Sequence, residues 1–415
     1  MNWANKLGFG RVPGPVRGIF LITLTVNIGN YMTPFMSVFL TANLGIRSQL
    51  SGIFVSLAGM AFLPGSLLGG KLADIWGKKQ VFVLFQLLAA AVTVINAFVL
   101  DKNWSPWLFI LNAMFVAATI PVYNATIFAA ASEDNLNESL SLFFVGMNVG
   151  NLFSGLIGAA FFSRYVTLIF CFEGLIKLLS VILFLKCVDD RPAESEQPAC
   201  GLKDSDSDGE TPVKGGLVGQ LIKNPVLLLF SVSCMLFSIV LSQNNYSLPL
   251  HLNSVFGAAK GTTYYGIILG VNSLTIVTLT GTVSRLTAGR KKTDMVLLAC
   301  GLLGTGFGML YFGRVLWVNI VSTVLWSLAD ILNTPNSSAY FAEYAPASMF
   351  GRFAAWIKIV TGAGYAIGPI CMGFIMEQYG IRVIWPVLAS LACFSAAILC
   401  MVKILEKKKK QGSAT

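Results

Sequence analysis

Gly70-Lys71-Leu72-Ala73-Asp74-Ile75-Trp76-Gly77-Lys78-Lys79 is a short charged interruption between two apolar stretches, residues 50–70 and 79–99. Its two glycines permit tight turning and close backbone approach. Asp74 suits a helix N-terminus, and the lysines suit a head-group boundary rather than hydrocarbon. The flanking stretches are close to the roughly 20 apolar residues that a helix needs to cross a bilayer. Working outward, such stretches recur at 16–40, 106–131, 139–162, 166–186, 225–249, 262–284, 294–313, 315–341, 352–376 and 382–403, twelve in all. Over the 415 residues, 55% are hydrophobic and 12% charged, a balance that lipid can solvate but that cannot cover a soluble protein of this size. Lipid offers no partner to open backbone groups, so the spans are helices and the fold class is all-α integral membrane. The first span is too long for a secretory leader and lacks a small-residue cleavage site, so it reads as a retained helix.

Basic residues are retained on the cytoplasmic side of a membrane. With the N-terminus inside, 21 of the 29 Lys and Arg fall on the inner face, including Lys71, Lys78, Lys79, Arg285, Arg290 to Lys292, Arg352 and Lys403. Arg47, Lys102, Arg164, Lys260, Arg314 and Arg382 fall outside. Both termini are therefore expected in the cytoplasm of a multi-pass cell-membrane protein. The net charge of +10 is explained by this topology and not by nucleic acid, because the charges form no compact binding module. The run Lys407 to Lys410 reads as a solvated tail that also fixes orientation, with anionic head groups as the alternative partner. The eight cysteines form no C-x-x-C pair and read as free thiols, not as disulfides or metal ligands.

Residues 189–224 break the apolar pattern with a polar stretch rich in Asp and Ser, as a flexible connector does. They divide the chain into a six-helix half at 1–188, a second half at 225–404 and a basic tail at 405–415. Three features recur between the halves. The segment from Gly70 is echoed by Gly281-Thr282-Val283-Ser284-Arg285 through Gly289-Arg290-Lys291 (281 − 70 = 211), and Pro121 by Pro335 (335 − 121 = 214). Asn148 to Gly155 parallels Gly362 to Pro369 (362 − 148 = 214). Three echoes nearly in register indicate duplication.

With the motif in its expected inner loop, the chain resembles the major facilitator superfamily, whose loop between helices two and three reads G-x-L-a-D-r-x-G-r-k. Gly70, Leu72, Ala73, Asp74, Gly77, Lys78 and Lys79 match; Ile75 replaces the usual basic residue, and the second copy has Arg285 in place of the acid. The resemblance implies two pseudo-symmetric six-helix halves and a conformational latch at Gly70, Asp74, Gly77, Lys78 and Lys79, with Asp74 facing the helix that starts near Gly351 and Arg352. It is closest to twelve-helix drug/proton antiporters. The Gly-Pro pair that antiporters often carry in helix five is Ser154-Gly155 here, whereas Gly368-Pro369 lies in helix eleven, which weakens antiport as a specific reading. The glycines of both helices also suit plain close packing.

By that resemblance helices one, four, seven and ten line the translocation path. Polar residues within spans are costly unless a cavity or a partner receives them. Candidates for the substrate cavity are Asn27, Asn30 and Tyr31 in span one, Asn124 in span four, Asn244 and Asn245 in span seven, and Asn333 and Asn336 in span ten. Asn148 and Asn272 come from spans five and eight. As a set they suit a hydrated cavity; singly, interhelical hydrogen bonding accounts for each. Asp330 and Lys358 lie at depths from which they can pair. A carboxyl in a low-dielectric site can take up a proton near neutrality, so Asp330 leads the proton-coupling candidates, with Lys358 and Glu173. Glu173 and Lys177, at i and i+4, suit an internal salt bridge.

The expected function is a secondary transporter that moves a small organic molecule by alternating access, with proton-coupled efflux ahead of proton-coupled or facilitated uptake of a polar metabolite. No cofactor or metal is expected, with a proton gradient as the driving force. The expected partners are the substrate and membrane lipids, and the expected state is a monomer. No catalytic constellation surrounds the lone His251, and no phosphate-binding loop appears, so an enzyme is not expected.

Overall fold

A computed structural model describes residues 12–132, 134–162, 164–188, 224–344 and 350–412. Among these residues the chain is helical without strands, and twelve helices are long and apolar enough to cross a membrane. They are α1 (Gly14–Asn43), α2 (Ser48–Trp76), α3 (Lys78–Val99), α4 (Ser105–Ala130), α5 (Leu136–Phe161) and α6 (Val166–Cys187), followed by α7 (Pro225–Phe256), α8 (Ala258–Thr287), α9 (Lys292–Phe312), α10 (Leu316–Tyr344), α11 (Ala355–Tyr379) and α12 (Ile381–Lys408). Each overlaps its expected span. The ends of α2 and α7 run furthest beyond expectation, and in α2 Gly70 to Trp76 continues the helix instead of forming a loop. Nothing in Lys71-Leu72-Ala73-Asp74-Ile75-Trp76 stops a helix; Gly77 does, with φ at +93°. The connector 189–223 and the N-terminal Lys6 and Arg11 lie outside the described residues.

The exterior is that of a protein solvated by lipid. Phe98, Leu67 and Phe312 are 75%, 66% and 72% exposed. Exposed aromatic residues with a polar tip collect at helix ends: Trp76, Trp104, Trp107, Trp317 and Tyr379. That distribution forms the interfacial belts of a membrane protein.

Helix pairing repeats between the halves. α1 packs on α5 and α6, as α7 packs on α11 and α12; α3 packs on α4 and α6, as α9 packs on α10 and α12. In the first set Phe82 stacks on Phe184 at 4.0 Å between α3 and α6. In the second, Phe230 stacks on Tyr340 at 3.9 Å between α7 and α10. The buried hydroxyls of Ser233 and Ser395 meet at 2.8 Å between α7 and α12, the hydrogen-bonded glue that lipid-solvated helices use.

The chain forms two compact units, whose limits differ from those of the two sequence halves. The first takes in Leu252–Val277 of α7 and α8, and the second takes in Ser48–Ser56 of α2. Inside the first unit, α5 lies against α8: a Cβ on Gly266 would collide with the Gly155 carbonyl and the Ala159 methyl. Inside the second, α2 lies against α11: a Cβ on Gly52 would collide with the Pro369 carbonyl. These contacts are repeat mates, since 266 − 52 and 369 − 155 both equal 214.

Candidate functional site

Helices α1 and α7 are broken, and buried polar side chains gather at both breaks. α1 runs as Gly14–Ile28, interrupts at Gly29 to Tyr31, and resumes as Met32–Val38. Pro34 has no N–H, so the Asn30 carbonyl four residues earlier has no helical donor. Ser154 of α5 supplies one, its hydroxyl donating to the Asn30 oxygen at 2.6 Å. On the other side of the break, the Met32 N–H donates to Glu173 Oε2 of α6 at 3.0 Å. A carboxylate at a helix N-terminus is favoured by the helix dipole as well as by the hydrogen bond.

Glu173 is itself held. Its Oε1 lies 2.8 Å from Lys177 Nζ, with the two side chains 1% and 6% exposed. The ammonium also donates to Thr93 Oγ1 at 2.7 Å and to Asn112 Oδ1 at 2.9 Å. All three donor directions of the lysine are thereby used. Beside this cluster lies a void of about 10 Å³ bordered by Thr93, Asn96, Asn112 and Glu173.

α7 breaks at the equivalent place. Pro225–Leu241 is followed by a 3-10 turn, Ser242–Asn244, and the helix resumes at Ser247–Phe256. Fully buried Gln243 ties the two pieces together. Its amide donates to Ile239 O at 3.1 Å before the break, and its carbonyl accepts the Ser247 hydroxyl at 2.6 Å after it. Buried Tyr246 donates through its hydroxyl to the Ser48 carbonyl at the start of α2. Both breaks carry the same pattern, Asn30-Tyr31-x-x-Pro34 and Asn245-Tyr246-x-x-Pro249, with 246 − 31 = 215. Sequence reasoning singled out Asn30, Tyr31 and Asn245 but missed the shared proline and hence the breaks.

The other candidates divide by partner. Asn27, Asn148 and Asn336 donate to carbonyls four residues back in their own helices, at 2.8, 2.9 and 2.6 Å. That leaves each side-chain oxygen to accept. Asn333, 5% exposed, accepts the Ser337 hydroxyl at 2.9 Å. Tyr31 is buried, Asn124 and Asn272 are half-buried, and Asn244 and Asn245 sit in the α7 break.

Asp330 and Lys358 do not pair. Asp330 Oδ1 accepts the Thr334 hydroxyl at 2.9 Å, while Lys358 is exposed on α11. Depth along two helix axes brings such residues level, but rotation about those axes decides whether they face each other. At the inner motif, Lys78 Nζ donates to the Ala125 carbonyl at 3.2 Å, tying α3 to the end of α4. Asp74 is exposed and Lys79 half-buried. The side chains of Gly351 and Arg352, toward which Asp74 was expected to face, are outside the described residues.

Comparison with known proteins places this arrangement. A family profile described as Major Facilitator Superfamily matches residues 19–329 and 288–415. The Na(+), Li(+), K(+)/H(+) antiporter of Planococcus maritimus is 22% identical over 404 residues, covering 90% of this chain and 92% of the relative. The multidrug resistance protein MdtG of Serratia proteamaculans is 24% identical over 200 residues, 45% of this chain and 46% of that protein. Among solved structures, the nucleoside transporter NupG aligns with a TM-score of 0.75 at 15% identity, covering 94% of this chain and 98% of that one. The peptide transporter POT in complex with sulfate aligns with a TM-score of 0.77 at 14% identity, covering 94% of each chain.

Proposed function

The chain belongs to the major facilitator superfamily, a family of transporters, and from that premise we propose that it is a proton-coupled antiporter that expels a small organic molecule from the cell. The observation that carries the proposal is the contrast between its two acidic groups deep in the helices. Glu173 is neutralised by Lys177 and fully hydrogen-bonded. Asp330, on α10, has a hydroxyl donor and, among the described residues, no ion-pair partner. An uncompensated carboxylate in a membrane span is costly as an anion, and taking up a proton removes the charge. Asp330 is therefore the coupling acid, and Glu173 and Lys177 hold α1 in its broken form. Lys358, exposed and apart from Asp330, has no part in the coupling step.

Relatives named as a cation/proton antiporter and as multidrug resistance proteins support exchange and export. Asn30, Tyr31, Asn244 and Asn245, at the breaks of α1 and α7, are the leading candidates to offer donors and acceptors to the substrate, and Asn27, Asn124, Asn148, Asn272, Asn333 and Asn336 are the further ones. In this reading the close glycine contacts of α5 with α8 and of α2 with α11 part and re-form as access alternates. Gly70, Asp74, Gly77, Lys78 and Lys79 form the inner latch. The protein works as a monomer in the cell membrane, with both termini cytoplasmic and no cofactor beyond the proton gradient.

Growth of an expressing strain on a panel of toxic compounds tests the direction. Resistance to at least one compound, with lower intracellular accumulation, is the expected outcome. Heightened sensitivity with increased accumulation would instead establish uptake and contradict the proposal.

A further inference from the structure

At one end of the second unit, a cavity of about 930 Å³ opens among the ends of four helices. The α8–α9 turn contributes Arg290, Lys291 and Lys292, and the end of α12 contributes Lys403 and Lys407. Against these five cations the lining holds two carboxylates, Glu343 and Glu406.

Part of the charge is already balanced. Lys403 pairs with Asp294 at 2.6 Å. Glu406 Oε1 accepts the hydroxyls of Tyr340 and Tyr344, at 2.7 and 3.1 Å, so these rings form a wall with their polar tips turned to one acid. Among the described residues, Arg290, Lys291, Lys292 and Lys407 make no ion pair. α9 also begins at this cavity without a side-chain cap, with Lys291 at the capping position. Uncapped backbone N–H groups and convergent cations together favour an anion.

We propose that this cavity binds a phosphate group. Arg290 offers a planar fork suited to phosphate oxygens, and Lys291, Lys292 and Lys407 surround it as point charges. The site lies beside the ends of α8, α9, α10 and α12, and helices that cross a bilayer end near its head groups, so the phosphate can come from an anionic head group or from a soluble phosphate compound. Basic pockets between helices at a membrane face are suited to such head groups.

The test uses the purified full chain in detergent, with thermal unfolding followed at matched ionic strength. One arm adds phosphatidylglycerol or phosphatidylcholine; the other adds pyrophosphate. The variant Arg290→Gln/Lys292→Gln/Lys407→Gln removes three cavity charges, and Lys71→Gln/Lys102→Gln/Lys186→Gln removes three elsewhere. The expected result is stabilisation of the wild type and of the second variant by phosphatidylglycerol over phosphatidylcholine, or by pyrophosphate. Binding to the first variant should be about 100-fold weaker. The arm that responds identifies the source of the phosphate. Equal responses of both variants, or no response of the wild type to either anion, would overturn the proposal.

Discussion

The carboxylate of Glu173 on α6 accepts the backbone N–H of Met32 on α1 at 3.0 Å, capping a helix that lies 141 residues earlier in the chain. The same carboxylate neutralises Lys177, so one side chain supports both a backbone break and a buried cation. Glu173→Ala leaves the ammonium without a counter-charge, and breaking a buried pair in this way costs about 3–5 kcal/mol. Glu173→Ala/Lys177→Met removes both charges and should recover most of that loss. Thermal unfolding of the three proteins in detergent measures the difference. A double variant no more stable than Glu173→Ala would show that the loss does not come from the unpaired ammonium, leaving the missing acceptor for the Met32 N–H as its source.

The contact of α5 with α8 depends on the absence of side-chain atoms. Gly266→Val introduces a Cβ that meets the Gly155 backbone, which cannot yield as a flexible side chain would. The expected effect is at least about a tenfold loss of transport, roughly 1.4 kcal/mol or more on the conformational step, in a protein that still elutes as a folded species. Gly281→Ala has open space around its Cβ and should transport normally. Wild-type rates in Gly266→Val would remove this contact from the transport cycle.

Gly77 ends α2 with φ at +93° and ψ at 152°, a combination that side chains disfavour. Gly77→Ala should therefore lower stability by about 1–3 kcal/mol. Gly70→Ala meets Pro121 at an ordinary 3.7 Å and should leave stability unchanged or slightly raised, because Gly70 is helical. Equal unfolding temperatures for the two variants would refute the strain argument.

The twelve helices were legible because hydrocarbon demands long apolar runs and the chain is punctuated by charge. The duplication was legible at Pro121 and Pro335, and the structure adds the paired contacts of Gly52 with Pro369 and Gly266 with Gly155. The breaks in α1 and α7 were not read, because the averaged hydropathy of both stretches stays high enough for a span despite their polar residues, and hydropathy is blind to a turn inside a span. Their signal was chemical: Pro34 and Pro249, each four residues after an asparagine whose carbonyl loses its helical donor. The Glu173 and Lys177 spacing directly implied an ion pair on one helix face. The relation of Asp330 to Lys358 needed the rotation of two separate helices, which composition and depth do not encode.

Proton coupling through Asp330 is tested most directly by transport in proteoliposomes under an imposed pH gradient, using a compound to which expression confers resistance. Asp330→Asn keeps an acceptor for the Thr334 hydroxyl while removing the charge. The account predicts that the wild type accelerates with the gradient, whereas the variant moves substrate only down its own concentration gradient and at a rate insensitive to pH. Full gradient-driven transport by Asp330→Asn would contradict it.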